Sequence, residues 1–368
     1  MLRFGLHLAF LAECIPNYHK TENKVKMKIL YSGYHNPDFI TITEYVERAI
    51  LQLGYELETY DYRQHIIPYR ISEILPFLYR WDMNKLNIGL IKCVDSFKPD
   101  ILLVNWGGTF YPQTITEIGR RFKATTINWL IDFPGGRSVL ETALKVVPAY
   151  DYFFAQSTDA LEVHEKYGNK GGMWLNAACD PEIHKPLKLT DEEQKKYGCD
   201  ICFVGSMYPE RIELLKTLTD FNLGIWGPGW ERLDVNSPLK KHIRGGPVAP
   251  ETWVKLYNAS KIVINYMGHY GEDIDEDKVY QASPRVFETL GCGSFQMVDA
   301  KKDVVTLFKS GEHMVCFKKI GEAKELAKYY LGRPQERKEI AQKGRSEVLA
   351  KHTYVHRIEE LLKAIGKS

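Results

Sequence analysis

The chain has 368 residues, which suits two domains of roughly 150 residues each better than a single hydrophobic core. Hydrophobic residues make up 44% of the chain and charged residues 26%, which is the composition of an ordinary globular protein. The formal net charge of +2 argues against a protein that covers a nucleic-acid backbone, although a local basic cleft is compatible with it.

The first 26 residues are partly apolar, but His7 and Glu13 interrupt the apolar run. This leader lacks a clean small-residue cleavage site and is too short to span a membrane. Met27 begins the sequence MKILYSG, which is typical of a first strand. We therefore interpret residues 1–26 as an upstream-start extension or a surface helix, and we expect no membrane span.

Seven cysteines are scattered along the chain, and an odd number without a regular framework indicates a reducing, cytoplasmic compartment. Cys199 and Cys202 form a C-x-x-C pair, but no second pair or histidine pair follows at ligand spacing. Because Cys202 also falls inside an apolar strand, we expect structural thiols here and no zinc or redox site.

Apolar strands alternate with helical segments from Met27 onward. The predicted strands are 28–32, 55–60, 101–105, 125–130, 152–155 and 173–175, and the predicted helices are 41–53, 71–97, 113–122, 138–146 and 157–167. Continuous apolar strands separated by helices indicate a parallel sheet that is covered on both faces. We expect residues 27–185 to form a Rossmann-like domain.

Residues 180–198 are charged, contain proline and have few apolar side chains, which is typical of a linker. The alternation of strands and helices then begins again. The predicted strands are 201–205, 223–226, 262–266, 294–298 and 314–317, and the predicted helices include 210–220, 250–259, 284–290 and 321–331. Two α/β domains, 27–185 and 186–352, predict a ligand site between them at the carboxyl ends of the strands.

Residues 283–300, SPRVFETLGCGSFQMVDA, predict a short helix that begins at Pro284, ends before two glycines and is followed by a buried strand. Arg285 and Glu288 are three positions apart and therefore lie on one face of that helix. They are compatible with an ordinary surface ion pair and also with a nucleotide site. The motif alone leaves both interpretations open.

Several polar residues follow predicted strands in the second domain. Gly205, Ser206 and Arg211 combine exposed backbone N–H groups, a helix N-terminus and a cation, which predicts a diphosphate site. The chain has no G-x-x-x-x-G-K-S/T loop and no G-x-G-x-x-G after its first strand. These absences argue against P-loop, nicotinamide and flavin classes.

In the first domain, His35 and Asp132 lie at the ends of predicted strands. Each is a candidate base or a group that orients an acceptor. The alternative interpretations are a solvated histidine and a simple turn residue. The acidic loop 272–277 is interpreted as solvated, with a divalent-cation role as the alternative.

The second half of the chain is similar to a known group of enzymes. The ordered series DICFVGSMYPER, GIWGPGW, RGGPV, LYNASKIVINY, SPRVFETLGCGSFQMVD and HTYVHRIEELL resembles the CgeB-like glycosyltransferases, which belong with the two-domain GT-B enzymes. The resemblance covers residues 199–362. It implies an α/β fold of two Rossmann-like domains that face each other across a cleft, with a C-terminal helix, 353–368, that crosses back onto the first domain.

The resemblance implies a transferase that moves a sugar from a UDP-, GDP- or dTDP-linked donor to an unknown glycan, protein or nucleic-acid acceptor. Glu288 would hold the ribose, and Ser206 with Arg211 would hold the diphosphate. His35 and Asp132 would face the acceptor as catalytic residues. The whole expected donor site comprises Ser206, Arg211, Trp226, Gly227, Gly246, Val248, Pro284, Arg285 and Glu288.

The chain departs from the family pattern at one position. Many retaining GT-B enzymes carry two glutamates eight positions apart, and Tyr280 stands at the earlier position here. The resemblance therefore favours retention but leaves the stereochemical outcome open. No bound metal is expected, because cationic side chains and a helix N-terminus neutralise the leaving diphosphate in this fold. The D-x-D spellings within 273–277 are interpreted as coincidental.

Two alternatives stay open. A protein that binds nucleotide sugars without catalysis would fit the missing first glutamate. A phage-type glycosyltransferase acting on nucleic-acid bases would fit the fold, but the balanced charge argues against it. The sequence predicts no particular oligomeric state.

Overall fold

The residues described by the computed structural model are 27–63, 75–106, 108–131, 144–165, 172–267 and 279–367. The leader 1–26, the candidate Asp132 and the acidic loop 272–277 lie outside the described residues. Within the described part of the chain, no helix combines the length and the apolar character needed to cross a membrane.

The first domain is built on a sheet of six strands. These are β1 (Lys28–Gly33), β2 (Glu56–Asp61), β3 (Ile101–Asn105), β4 (Thr125–Leu130), β5 (Tyr152–Ala155) and β6 (Gly172–Trp174). All neighbouring strands are parallel, in the order β2-β1-β3-β4-β5-β6. The inner strands β3 and β4 are buried over most of their length, as their continuous apolar sequences predict.

The second domain repeats this architecture with six further strands. These are β7 (Cys199–Val204), β8 (Leu223–Trp226), β9 (Ile243–Gly245), β10 (Ser260–Asn265), β11 (Gln296–Asp299) and β12 (Val315–Phe317). They are parallel in the order β12-β11-β10-β7-β8-β9. The edge strand β9 was not predicted, because its short sequence IRG carries no apolar run. The expected α/β fold of two Rossmann-like domains is confirmed.

Helices cover both sheets. Their bounds are α1 Ile42–Gln52, α2 Pro76–Phe97, α3 Pro112–Glu117, α4 Thr158–Glu165, α5 Asp191–Tyr197, α6 Pro209–Lys216, α7 Pro250–Ala259, α8 Pro284–Gly291, α9 Lys302–Leu307, α10 Ile320–Leu331, α11 Pro334–Lys351 and α12 Tyr354–Ala364. Proline begins six of these described helices, at the position where its missing N–H costs no hydrogen bond.

The charged segment interpreted as a linker contains a helix, α5. Thr190 and Glu193 form a capping box at its N-terminus, each side chain bonding the backbone N–H of the other. The helix also packs on α7, where Lys255 contacts Glu193 at 2.8 Å between Nζ and Oε1. Local capping therefore makes a helix out of a sequence that has almost no apolar face.

The chain crosses back to the first domain through its last helix, α12. Before this helix, Thr353 pairs with Cys179 in an isolated parallel bridge, and Tyr354 N–H donates to the Cys179 carbonyl (3.2 Å). The apolar face of α12, including Ile358 and Leu361, is buried in the core of the first sheet and packs on α1. The exact domain limits, at 185 and 352, stay a prediction.

A side-chain contact also joins the carboxyl ends of the two sheets. Asp303, at the start of α9, accepts hydrogen bonds from Thr158 at the start of α4, at 2.6 Å from Oγ1 and 3.0 Å from the backbone N–H. Burial raises the pKa of Asp303 to about 6. The two domains are therefore in direct contact beside the cleft as well as at the crossing.

Arg357 is buried at the first turns of α12 and holds this crossing in place. Its Nε donates to the Asn176 carbonyl (3.0 Å), and its Nη2 donates to Nδ1 of His352 (2.6 Å). Because the guanidinium bonds groups on both crossing segments, it fixes α12 relative to the first sheet.

We expect Arg357→Leu to lower the free energy of unfolding by about 3 kcal/mol, because buried acceptors lose their charged donor. Arg333→Leu is the control, since it removes an exposed arginine that stacks on Tyr329, and it should cost less than about 1 kcal/mol. Chemical denaturation of both variants measures the difference. Equal small losses would contradict the role given to Arg357.

Candidate functional site

Two loops at the carboxyl edge of the second sheet lie in close contact. Trp230 Nε1 donates to the Gly205 carbonyl (2.8 Å), and Met207 N–H donates to the Pro228 carbonyl (3.0 Å). Gly227 has φ +140°, and a Cβ there would lie 2.1 Å from the Gly205 oxygen. Only glycine allows this approach, which explains why residue 227 is a glycine; its place in the donor site stays a prediction.

Arg211 is fixed between the ends of β7 and β10. Its Nη1 donates to the Ser206 carbonyl (2.9 Å) and its Nε to the Tyr266 carbonyl (3.1 Å). The guanidinium also lies 4.7 Å from the centre of the Tyr208 ring. The structure therefore brings Ser206 and Arg211 together as the sequence predicted, although the contact involves the backbone of Ser206.

Asp299 ends β11 at the same edge and was not singled out from the sequence. It is buried, and its Oδ1 accepts from Met267 N–H (3.2 Å). Burial raises its pKa to about 6, against the opposing effects of Lys301 and Arg211. A carboxylate directly after an apolar strand was the signal that could have identified it.

Glu288 lies in α8 and is only 3% exposed. Arg285 Nη1 donates to its Oε2 (2.8 Å), and the Arg285 guanidinium stacks 3.6 Å from the centre of the Trp253 ring. The ion pair considered from the sequence thus exists, but its carboxylate is inside the protein and not at the surface. A buried charge of this kind needs such a partner.

His184 is fully buried beside this pair. Its Nδ1 accepts from the Asp180 N–H (3.0 Å), and its Nε2 lies 3.9 Å from Glu288 Oε1. Burial lowers its pKa, although Glu288 and Asp180 act in the opposite sense. The sequence did not predict His184, because a lone histidine in a charged segment carries no periodic or spacing signal.

The remaining predicted donor residues differ in accessibility. Trp226 is 4% exposed, and its indole is so close to Gly224 that a Cβ there would lie 2.5 Å from the ring. The Trp226 ring therefore belongs to the core, and only its backbone lies at the edge. Val248 is half-buried against the same core, Gly246 is exposed, and Pro284 begins α8.

Tyr280, which replaces the earlier glutamate of the family pattern, packs on α9. Lys302 Nζ lies 4.2 Å from the centre of its ring, and its carbonyl accepts from Asp303 N–H (2.9 Å). Tyr280 therefore makes structural contacts with α9, and it has no carboxylate to take the part of the glutamate that it replaces. Among the described residues, no group of three or more His, Cys, Asp or Glu side chains is arranged to hold a metal ion.

His35 is half-buried at the end of β1 and forms a short contact with Glu47 of α1, 2.6 Å between Nε2 and Oε1. The interpretation as a solvated histidine is therefore wrong. Burial alone would lower the pKa of His35, but the hydrogen bond and charge of Glu47 outweigh it and raise that pKa. The second catalytic candidate, Asp132, lies outside the described residues.

We expect NMR titration to give His35 a pKa above its ordinary value, and Glu47→Gln to lower it, because burial remains while the negative partner is lost. Glu58→Gln, on the exposed side of β2, is the control and should leave the His35 pKa unchanged. A His35 pKa that does not respond to Glu47→Gln would contradict the pairing.

Two comparisons with known proteins found sequences that are similar to this chain. A protein-family model described as "Glycosyl transferase-like" matches residues 210–363. The spore protein CgeB of Bacillus subtilis (strain 168) is 24% identical over 270 residues, which cover 71% of this chain and 81% of that protein. The resemblance inferred from the sequence motifs is confirmed.

Solved structures share the fold along nearly the whole chain. Sucrose-phosphate synthase from Thermosynechococcus elongatus has a TM-score of 0.66 at 11% identity, covering 92% of this chain and 99% of its own. Anabaena HepE, in complex with UDP and glucose, has a TM-score of 0.60 at 12% identity, covering 93% and 100%. A glycosyltransferase from Rickettsia africae has a TM-score of 0.62 at 13% identity, covering 93% and 98%. At such identities these similarities establish the two-domain architecture.

Proposed function

We propose that this chain is a CgeB-like glycosyltransferase whose second domain binds a nucleoside diphosphate sugar and whose first domain binds the acceptor of that sugar. The proposed donor site is the carboxyl edge of the second sheet, where Asp299 ends β11 and Arg211 lies in the first turn of α6, together with Glu288 of α8, the helix that precedes β11. Ligands bind at this edge in open α/β sheets.

The observation that carries the proposal is the buried carboxylate of Glu288. An ionised carboxylate has about four acceptor sites, and within the described residues its side chain accepts a single hydrogen bond, from Arg285. The acceptor capacity that remains suits two adjacent hydroxyl groups of a ribose. Arg285 holds the carboxylate through its Oε2 atom, and the stacking of Arg285 on Trp253 keeps the guanidinium in place.

The diphosphate is assigned to the β7–α6 loop. Arg211 supplies a fixed cation there, and the backbone around Gly205 and Ser206 lies beside it. A cation in this position stabilises the negative charge that develops on the leaving diphosphate. The proposed transfer therefore uses protein cations in place of a bound metal.

Uracil is the proposed base of the donor. The support is that the structurally similar HepE has been solved in complex with UDP-glucose, at a TM-score of 0.62. Adenosine, guanosine and thymidine nucleotides belong in the same assay, because base contacts differ among proteins that share this fold. On the acceptor side, His35 with its partner Glu47 is the proposed group that orients or deprotonates the acceptor hydroxyl.

We expect Glu288→Gln to weaken UDP binding by about 100-fold, because two hydrogen bonds to a charged acceptor are lost or weakened. Isothermal titration calorimetry measures the affinity, and thermal unfolding verifies that the variant is folded. Glu360→Gln is the matched control, since Glu360 also pairs with an arginine three positions away on a helix, Arg357, but far from the donor edge.

The proposal fails if Glu288→Gln binds every nucleoside diphosphate tested as tightly as the unaltered protein does. It is supported further if incubation with UDP-glucose releases UDP, because a transferase also passes its sugar slowly to water. A donor that binds tightly and is never hydrolysed or transferred across a broad acceptor panel would contradict the transferase activity.

A further inference from the structure

Helix α1 of the first domain carries side chains that contact both His35 and the segment 180–184. Glu47 pairs with His35, as described above. Arg48 Nε lies 3.3 Å from Asp180 Oδ2, and both groups are buried. The ring of Tyr45 lies edge-on to His184 with centroids 5.0 Å apart. One helix therefore contacts the candidate acceptor-side histidine and the surroundings of Glu288.

The turn from Asp180 to His184 is rigid. The Asp180 carbonyl accepts from His184 N–H (2.8 Å), its Oδ1 accepts from Glu182 N–H (2.8 Å), and its own N–H donates to His184 Nδ1 (3.0 Å). Because Nδ1 is an acceptor, the neutral imidazole carries its proton on Nε2. The direction of that N–H is fixed by the turn.

The Nε2–H of His184 is an unusual group. It is buried, it has no hydrogen-bond partner within the described residues, and it faces Glu288 Oε1 at 3.9 Å. A buried donor without a partner costs free energy, so a nearby acceptor that becomes available will be used. The turn is packed so closely on α8 that a Cβ at Gly291 would lie 3.0 Å from His184.

A small movement of the Glu288 carboxylate would bring its Oε1 atom within hydrogen-bond distance of His184 Nε2. The terminal torsion of a glutamate is soft, and a shift of about 1 Å brings Oε1 to an ordinary hydrogen-bond distance from Nε2. Arg285 holds the other oxygen, Oε2. Each carboxylate oxygen keeps acceptor capacity for a ligand hydroxyl group after these two bonds are made.

We propose that His184 is a positioning residue for Glu288: its Nε2–H donates to Oε1 when the donor is bound, so that helix α1 of the first domain sets the place of the ribose-binding carboxylate in the second. This inference rests on the proposed role of Glu288. It gives the acceptor domain a direct influence on donor affinity, through Arg48, Asp180 and His184.

The test compares substitutions that keep or remove a donor at the Nε2 position. His184→Gln places an amide N–H close to where Nε2 was, whereas His184→Asn places it near Nδ1 and His184→Leu removes it. We expect UDP affinity to fall about tenfold in His184→Leu and His184→Asn, and His184→Gln to recover most of the loss. Calorimetry measures the affinity, and thermal unfolding measures the stability of each variant.

His313→Leu is the matched control. His313 is also buried, its Nδ1 also accepts from the N–H four residues earlier, Lys309 at 3.4 Å, and a glutamate lies next to it, but that glutamate is Glu312. This variant should unfold more easily and bind UDP normally. A purely structural role for His184 predicts the same behaviour for His184→Leu.

The outcomes separate this inference from the proposed function. In a Glu288→Gln background, His184→Leu should add no further loss of UDP affinity, because the two residues act as one unit. Equal UDP affinities for His184→Gln and His184→Asn would overturn the positioning role. If the His184 variants bind normally while Glu288→Gln does not, the inference fails and the proposed function stands. If Glu288→Gln binds normally, the proposed function itself fails.

Discussion

The candidate donor site depends on the ion pair between the buried carboxylate of Glu288 and Arg285. A carboxylate that is 3% exposed is stable only beside a fixed cation, which Arg285 provides at 2.8 Å. That cation in turn stacks on Trp253 of the neighbouring helix. Because removing Arg285 would leave the buried carboxylate without its cation, the pair restrains how α8 packs. The Arg285–Glu288 pair is thus a structural requirement as well as a candidate binding feature.

Glu288 lies close to contacts that the first domain makes with the segment between the two sheets. His184 lies against α8 from the segment that joins the sheets, and Tyr45 and Arg48 of the first domain hold that segment. The C-terminal helix adds a second connection through the bridge between Cys179 and Thr353. Relative movement of the domains would therefore be transmitted to the surroundings of Glu288. With the proposed role of Glu288 in donor binding, this arrangement would couple donor affinity to the position of the first domain.

Most of the fold could be predicted from the sequence. Continuous apolar runs such as ILLVN indicate buried strands, and glycines mark helix ends, so both elements are visible in short stretches of sequence. Helix α5 was not predicted, because it has no apolar face and is formed through the capping box of Thr190 and Glu193. At the site, the Arg285–Glu288 pairing followed from helical spacing, but the stacking of Arg285 on Trp253 did not, because Trp253 is distant in sequence. His184 could not be found at all, since its importance comes only from the tertiary contacts of its ring.

A crystal structure of the protein in complex with UDP tests the central claim most directly. The account predicts ribose hydroxyl oxygens within about 2.5–3.0 Å of the Glu288 carboxylate, with the diphosphate beside Arg211 at the end of β7. A complex in which UDP occupies the carboxyl edge but its ribose makes no contact with Glu288, or in which UDP binds elsewhere, would contradict it.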